Sequence, residues 1–465
     1  MDSAPPSDSD SKSDNPIVQP SPTHPFQIPA FRAFMIVRLC TILGATGMTL
    51  IIAWQAYNIA RLTMTPGQSA AQLGLIGLIQ FSVVFVMTPL AGLAADTYKR
   101  TRIGMVTLSI LLVCAAVLAL SSYEGWISLP LIFSLAAVLG FARAFQGPAL
   151  SSLAPNIVPK ELLPRAIAFS SMFWQAGGIV GPAVAGYAYA MKPHYAYIIS
   201  AGLFMAAVIA LIFVGDVRQA ARQTGRHPIR QVLDGLSYVR TNKLVLGAIT
   251  LDLFAVLLAG TTALLPVYAR DILHVGSAGL GHLAAAPGIG AGITALFFSI
   301  RPLRHNVGLK MLLSVGVFGL ATITFGLTAF MPQQIGIIVA LIAMAAWGSA
   351  DMFSVFVRQS LIQLHTPDEM RGRVSSVSMM TISASNELGE AESGFLAALI
   401  GPVAAVILGG AGAIAITIWW SRLFPELRHA RTFDPPETHF PPSPEEAGRS
   451  KDSSEKHSAA KETTA

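Results

Sequence analysis

Charge is scarce in this chain: Asp, Glu, Lys and Arg make up 12% of its 465 residues, against 53% hydrophobic, where soluble chains carry about a quarter charged. That leaves too little polar surface to coat a water-soluble body of this size. Cysteine is nearly missing. Cys40 and Cys114 both lie inside apolar runs, so neither a disulfide framework nor a CxxC metal site can be built, and packing is their expected role. The chain opens without a basic region followed by an apolar core, Lys12 being the only early Lys or Arg, so no signal peptide is expected. The net charge of +6 is scattered through short loops with no aromatic-interleaved basic face, which argues against a nucleic-acid partner. No Walker loop is present, and Gly288, Gly290 and Gly292 fall inside an apolar run with no strand before them, where close packing is their expected use. No cofactor or metal is therefore expected. Any driving force must come from an ion gradient, with the proton gradient as the expectation, or from a partner.

Long apolar runs fill the chain instead. Charges, prolines and glycines delimit twelve of them, at 33–57, 73–95, 103–120, 129–150, 166–190, 195–215, 244–268, 279–300, 308–330, 335–357, 374–400 and 402–420. Each approaches the roughly 20 residues that cross a bilayer as a helix. The expected fold is an all-α membrane protein with twelve transmembrane helices in two six-helix bundles. Its parts are an N-terminal tail (1–31), an N-terminal bundle (32–215), a linker (216–243), a C-terminal bundle (244–421) and a C-terminal tail (422–465). The tails are polar and expected to be disordered. In the linker, apolar residues of 229–240 recur at helical spacing opposite charged ones, predicting an amphipathic helix in the bilayer interface. With both termini cytoplasmic, about 16 Lys and Arg fall in inner loops and about three, Arg61, Lys192 and Arg270, in outer ones. The expectation is a multi-pass protein of the cell (inner) membrane, monomeric, with the bilayer and a small-molecule substrate as its partners.

Residues 152–187 align without gaps on 360–395. Pro159, Glu161 and Arg165 match Pro367, Glu369 and Arg373, while Met172, Gly181, Ala183 and Gly186 match Met380, Gly389, Ala391 and Gly394. Apolar runs alone do not reproduce P-x-E-x-x-x-R in two polar loops. The fourth and fifth spans thus recur as the tenth and eleventh, which implies pseudo-symmetric halves related by an axis along the membrane normal.

Carboxylates inside apolar runs need a partner, water or a proton. The first half supplies Arg38 and Arg143; the second supplies Asp252, Asp351, Glu387, Glu390 and Glu392. Arg143 and Asp351 are equivalent under the repeat and are candidates to pair across the halves. Glu387 and Glu390 lie three apart on one helical face, where repulsion and desolvation favour holding a proton, as proton coupling requires. Arg38, Asp252, Asp351 and Arg143 join them as candidates for proton coupling or the substrate cavity. The plainer alternative has Arg38 and Asp252 snorkelling near helix ends and Glu392 pointing elsewhere.

Residues 92–102, residues 177–186 with Gly177, Gly181, Pro182 and Gly186, and residues 370–375 with 384–390 resemble segments of the major facilitator superfamily, and within it the drug- and siderophore-efflux branch that includes enterobactin-exporter-like proteins and a secretion-effector subgroup. Residues 92–102, GLAADTYKRTR, look like its signature loop between the second and third spans, with Thr97 and Lys99 departing from the pattern. The resemblance implies a gate in which Gly92 allows close helix contact and Asp96, Arg100 and Arg102 form an electrostatic latch. Gly177, Gly181, Pro182 and Gly186 look like the glycine-proline motif of exporters, expected to bend the fifth span and let it hug a neighbour across the half interface. Residues 370–375 and 384–390 look like the subgroup. The resemblance implies the major facilitator fold, no enzymatic activity, and a proton-coupled exporter of amphipathic small molecules, drugs or siderophores, by alternating access. An uptake permease shares the architecture, and a non-transporting scaffold or sensor is the reading of another class. An intramembrane hydrolase lacks a nucleophile or metal motif to accompany Glu387 and Glu390.

Overall fold

Turn chemistry between the apolar runs sets where each helix begins and ends. Pro66 occupies the first turn of its helix, and the Thr65 hydroxyl accepts from the Gln68 amide while the Gln68 side chain accepts from the Thr65 N–H, closing a capping box. Gly125, at φ +80°, stops another helix in the left-handed region, and Gly401, at φ +89°, lets the chain reverse before Pro402 starts the next.

The computed structural model describes residues 23–151, 153–215, 228–301, 303 and 305–433. Among them there is no strand. Twelve principal helices run Pro29–Ala60, Pro66–Thr97, Arg100–Glu124, Leu129–Ser151, Leu163–Met191, Pro193–Val214, Lys243–Leu258, Gly276–Ile300, Val307–Leu327, Gln333–Leu364, Asp368–Ile400 and Pro402–Leu423, here the first to twelfth spans. By length and composition 10 of the described helices can cross a membrane unaided. The fifth and eleventh fall short, and they are the two copies of the repeat. Both are rich in small and polar residues because they face other helices and a cavity rather than lipid alone.

The packing repeats between halves. The first span packs on the fifth and sixth as the seventh does on the eleventh and twelfth; the second packs on the fourth as the eighth does on the tenth. The third packs on the fourth and sixth, and the ninth on the tenth and twelfth. Two seams join the halves, second span to eleventh and fifth to eighth, and they are pseudo-symmetric counterparts.

Both seams close toward the end of the molecule away from the termini, the distal end. Gly74 lies against Gly394, and Gly186 against Gly281, leaving no room for a Cβ at either crossing. One continuous buried cluster runs from Met48, Ile51 and Leu73 into Leu264, Leu280 and Ala397 of the other half. At the terminal end the same four helices present exposed apolar residues, among them Phe85, Val86, Met172, Ile293, Leu296 and Met379. Because the seams shut the distal end while Arg143, within the fourth span, keeps 48% of its side chain exposed, a central cleft between the halves reaches it from the terminal end.

Several boundaries differ from the sequence expectation, the C-terminal one included: Pro425–Arg428 is a short helix with Leu427 buried, and the Gly308 N–H donates to the Ala430 carbonyl at 3.1 Å. Chain 23–31 belongs to the fold: Pro25–Gln27 forms a turn, and Phe26 packs edge-on against Phe31 and Phe169 at 5.4 and 5.0 Å. The seventh span is interrupted at Ala259 and Gly260, continues through short turns Thr261–Leu264 and Leu265–Val267, and ends in a π segment, Tyr268–Ile272. Gly260 sits against the Gly389 carbonyl of the eleventh span, an approach that excludes a side chain. The linker helix is Pro228–Thr241, and it docks on the eleventh span and on the end of the tenth: Arg373 binds Asp234 at 3.2 Å, and the Tyr238 hydroxyl donates to the carbonyl of His365, the residue that caps the tenth span, at 2.7 Å. Residues 1–22, 216–227 and 434–465, which hold most of the two tails and the start of the linker, lie outside the described residues.

Candidate functional site

The cleft is bridged by charge near its closed end. Arg143 of the fourth span donates to Gln80 Oε1 of the second at 2.9 Å and binds Glu387 Oε1 of the eleventh at 3.1 Å. The ion pair crosses from one half to the other. Gly77, one turn before Gln80, lets the eleventh span approach so closely that a Cβ there would touch the Glu387 carbonyl and Glu390 Cβ at 3.4 Å. Glu390, one turn beyond Glu387, makes no ion pair among the described residues. One guanidinium thus serves two neighbouring carboxylates at the half interface and pairs with Glu387 alone, an arrangement in which the unpaired carboxylate can take up a proton.

The expected partner of Arg143 was Asp351, and the structure corrects this. Arg143 reaches Glu387 instead, because the repeat places Arg143 and Asp351 at equivalent points of opposite halves, while the eleventh span is the one seamed to Arg143's neighbour, the second. Asp252 does not snorkel either. It is 5% exposed and forms a buried ion pair with Arg358, which is 1% exposed. The apolar run of the tenth span ends at Val357 in the sequence, whereas its helix runs on to Leu364 and so carries Arg358 inside. Arg38 lies with its guanidinium 5.0 Å from the ring of Trp174, a cation–π contact between the first and fifth spans rather than a snorkelling tip. Glu392 accepts from the Ser393 hydroxyl at 3.4 Å.

The glycine-proline motif divides its contacts. Gly177 and Gly181 face Ile42, Leu43 and Thr46 of the first span, inside their own half, while Gly186 and the Pro182 carbonyl meet Gly281 of the eighth, across the seam. In the 92–102 loop, Gly92 has open space around it, so the close contact expected of it is not made in this conformation. Arg102 is exposed, Arg100 opens the third span, and the Asp96 side chain lies outside the described residues.

A second latch, at the distal rim, went unread in the sequence. Arg61 Nε donates to Asp271 Oδ2 at 2.8 Å, the Tyr57 hydroxyl donates to the same oxygen at 2.6 Å, and Arg270 Nη1 donates to the Asn58 carbonyl at 3.3 Å. Hydrogen bonding to Asp271 holds the Arg61 guanidinium above its ordinary value, so this tie stays charged. Arg61, just past the end of the first span, and Asp271 sit 210 positions apart in different halves, and the π segment of the seventh span carries Arg270 and Asp271. A cavity of about 360 Å³ near this rim, lined by Leu273, His282 and Ile337 among others, is remote from the central charges. Among the described residues no three potential metal ligands cluster.

Comparisons with known proteins place this geometry. The model of the Major Facilitator Superfamily matches residues 34–390. Over 415 residues the chain is 27% identical to the enterobactin exporter EntS of Escherichia coli (strain K12), covering 88% of this chain and 94% of that protein. Solved structures of similar shape include the nucleoside transporter NupG, with a TM-score of 0.68 and 13% identity over 85% of this chain and 100% of that one. A D-xylose-proton symporter matches with a TM-score of 0.63 and 13% identity over 86% of this chain and 97% of that one. At such identities the solved structures speak to the fold alone.

Proposed function

The chain belongs to the Major Facilitator Superfamily, a family of membrane transporters rather than enzymes, and we propose that it is a proton-coupled exporter of amphipathic small molecules. The observation that carries this reading is the Arg143–Glu387 pair bridging the halves beside Glu390. The likeness to an exporter of enterobactin supports the direction, and points to a siderophore or a drug of similar character as cargo. The excess of basic residues in the loops at the terminal end supports a cytoplasmic position for that end in the inner membrane. The cleft is then open to the cytoplasm and shut by the Arg61–Asp271 latch outside.

In this cycle cargo enters the cleft from the cytoplasm. Its arrival displaces a proton from Glu390, while Arg143 keeps the hold on Glu387 that it has in the cytoplasm-open state. A proton from outside, entering once the distal latch opens, reloads Glu390 and returns the halves to the cytoplasm-open state. The loop of Gly92, Asp96, Arg100 and Arg102 closes the opposite end in the other half of the cycle. An uptake permease would run the same parts in reverse.

The test is dye accumulation in efflux-deficient bacteria expressing wild type or Glu387→Gln/Glu390→Gln at equal levels. Lowered accumulation by wild type, abolished by an uncoupler and by the double substitution, is expected. Raised accumulation would assign uptake, and an uncoupler-insensitive effect would remove the proton from the cycle.

A further inference from the structure

Apart from the inter-half cluster, the C-terminal half encloses acids of its own. Asp351, Ser354 and Arg358 fall three and four residues apart along the tenth span and share one stripe of it, with Asp252 of the seventh span opposite. Asp252, Asp351 and Ser354 line a cavity of about 10 Å³ whose other walls are Ala255, Val256, Val315, Phe318 and Ala350. That space is at the lower limit for a single water. It is far too small for an organic substrate, and the adjacent guanidinium disfavours a metal cation. Two polar atoms at the site have no partner: the hydroxyl of Ser354, which is 3% exposed, and Nε of Arg358. Among the described residues no cation or hydrogen-bond donor reaches the Asp351 carboxyl.

We propose that Asp252, Asp351, Ser354 and Arg358 form a proton-binding centre within the C-terminal half, separate from the Arg143–Glu387–Glu390 cluster. Arg358 pairs with one aspartate at a time, and the other aspartate carries the proton. Charge balance drives this. Two carboxylates and one guanidinium leave one net negative charge in a mostly apolar enclosure, and a single proton makes the group neutral. Among the described residues, the seventh and ninth spans contribute no other charged or titratable side chain to the cavity. Geometry permits the exchange, because helical side chains lean toward the N-terminus of their own helix, which carries Arg358 back over Ser354 toward Asp351. The Ser354 hydroxyl lies between the two positions and can donate to whichever carboxylate is unpaired. The inference goes beyond the export reading and stands without it, since it concerns proton binding and names no cargo or direction.

The experiment is infrared difference spectroscopy of purified protein titrated with alkali, following the C=O stretch of protonated carboxyls. Glu387→Gln/Glu390→Gln serves as the background, so that the inter-half acids contribute nothing. In that background one carboxyl signal is expected from this centre. Asp351→Asn abolishes it by removing the group, and Asp252→Asn abolishes it by releasing Arg358 to pair with Asp351. Each substitution leaves one acid for one base, so both variants are expected to purify as folded protein. A signal that survives Asp351→Asn places the proton elsewhere, and one that survives Asp252→Asn shows that Arg358 does not exchange; either result overturns the proposal. Because no transport is measured, failure of the export reading would leave this outcome unaffected.

Discussion

Arg143 keeps 48% of its side chain exposed while Glu387 keeps 12%, so their pair lies between a surface ion pair and a buried one. Arg143→Gln is therefore expected to cost about 1 kcal/mol of stability, whereas proton-driven efflux falls about tenfold because the halves lose the charge that reads Glu387. Thermal unfolding in detergent and dye efflux, taken together, separate these effects. Lost stability with unchanged efflux would reduce Arg143 to a structural tie. The Asp252–Arg358 pair is in another regime, with side chains 6% and 2% exposed. Arg358→Met leaves two acids without a cation and is expected to cost about 3–5 kcal/mol. Asp252→Asn is expected to cost much less, since Asp351 shares the stripe of Arg358. Equal losses of Tm in the two variants would contradict that rescue.

Among elements, the seams depend on backbone approach. Gly394→Val would place a side chain against Gly74 and the Ala70 carbonyl, and the expected result is a second–eleventh seam unable to close at the distal end. Accessibility of single cysteines on that face to a membrane-impermeant reagent is expected to rise; unchanged labelling would mean that the seam tolerates the bulk. Gly181→Val meets the Leu43 carbonyl inside one half and is expected instead to destabilise the fold by about 1–3 kcal/mol without altering access. These elements were legible in the sequence because apolar runs, Pro and Gly breaks and the repeat each report local structure. The repeat picked out the fifth and eleventh spans, and those are the helices that carry the seams. What stayed hidden was non-local. Arg358 looked like a loop residue because an arginine ordinarily ends an apolar run, and only its partner on the seventh span permits it inside. The break at Ala259 and Gly260 lies in an apolar stretch that satisfies any hydropathy reading, though Gly260 beside two threonines and Pro266 was a visible signal. Arg61 and Asp271 are unremarkable loop charges until the halves meet.

For the molecule as a whole, the equilibrium between the two ends governs behaviour. Arg61 and Asp271 keep 24% and 21% of their side chains exposed, so Asp271→Asn is expected to weaken distal closure by about 1 kcal/mol. That is roughly a fivefold gain in the distal-open population. Spin labels at Leu62→Cys and His274→Cys, in a background without Cys40 and Cys114, would report a longer distance in the variant; an unchanged distribution would show that the seams alone hold this end shut.

The two seams are alike in shape and unlike in chemistry. Second meets eleventh around Gln80, Arg143, Glu387 and Glu390, whereas fifth meets eighth through Ile179 against Gly288 and a Gln175 amide donating to the Gly288 carbonyl at 3.1 Å. A proton arriving at the cleft finds carboxylates along the first seam, whereas the titratable group on the second is His282 at its distal end, hydrogen-bonded to Tyr187 at 2.7 Å. The molecule then works as a door hung on one jamb and bolted on the other, and its swing has a handedness that neither half possesses alone.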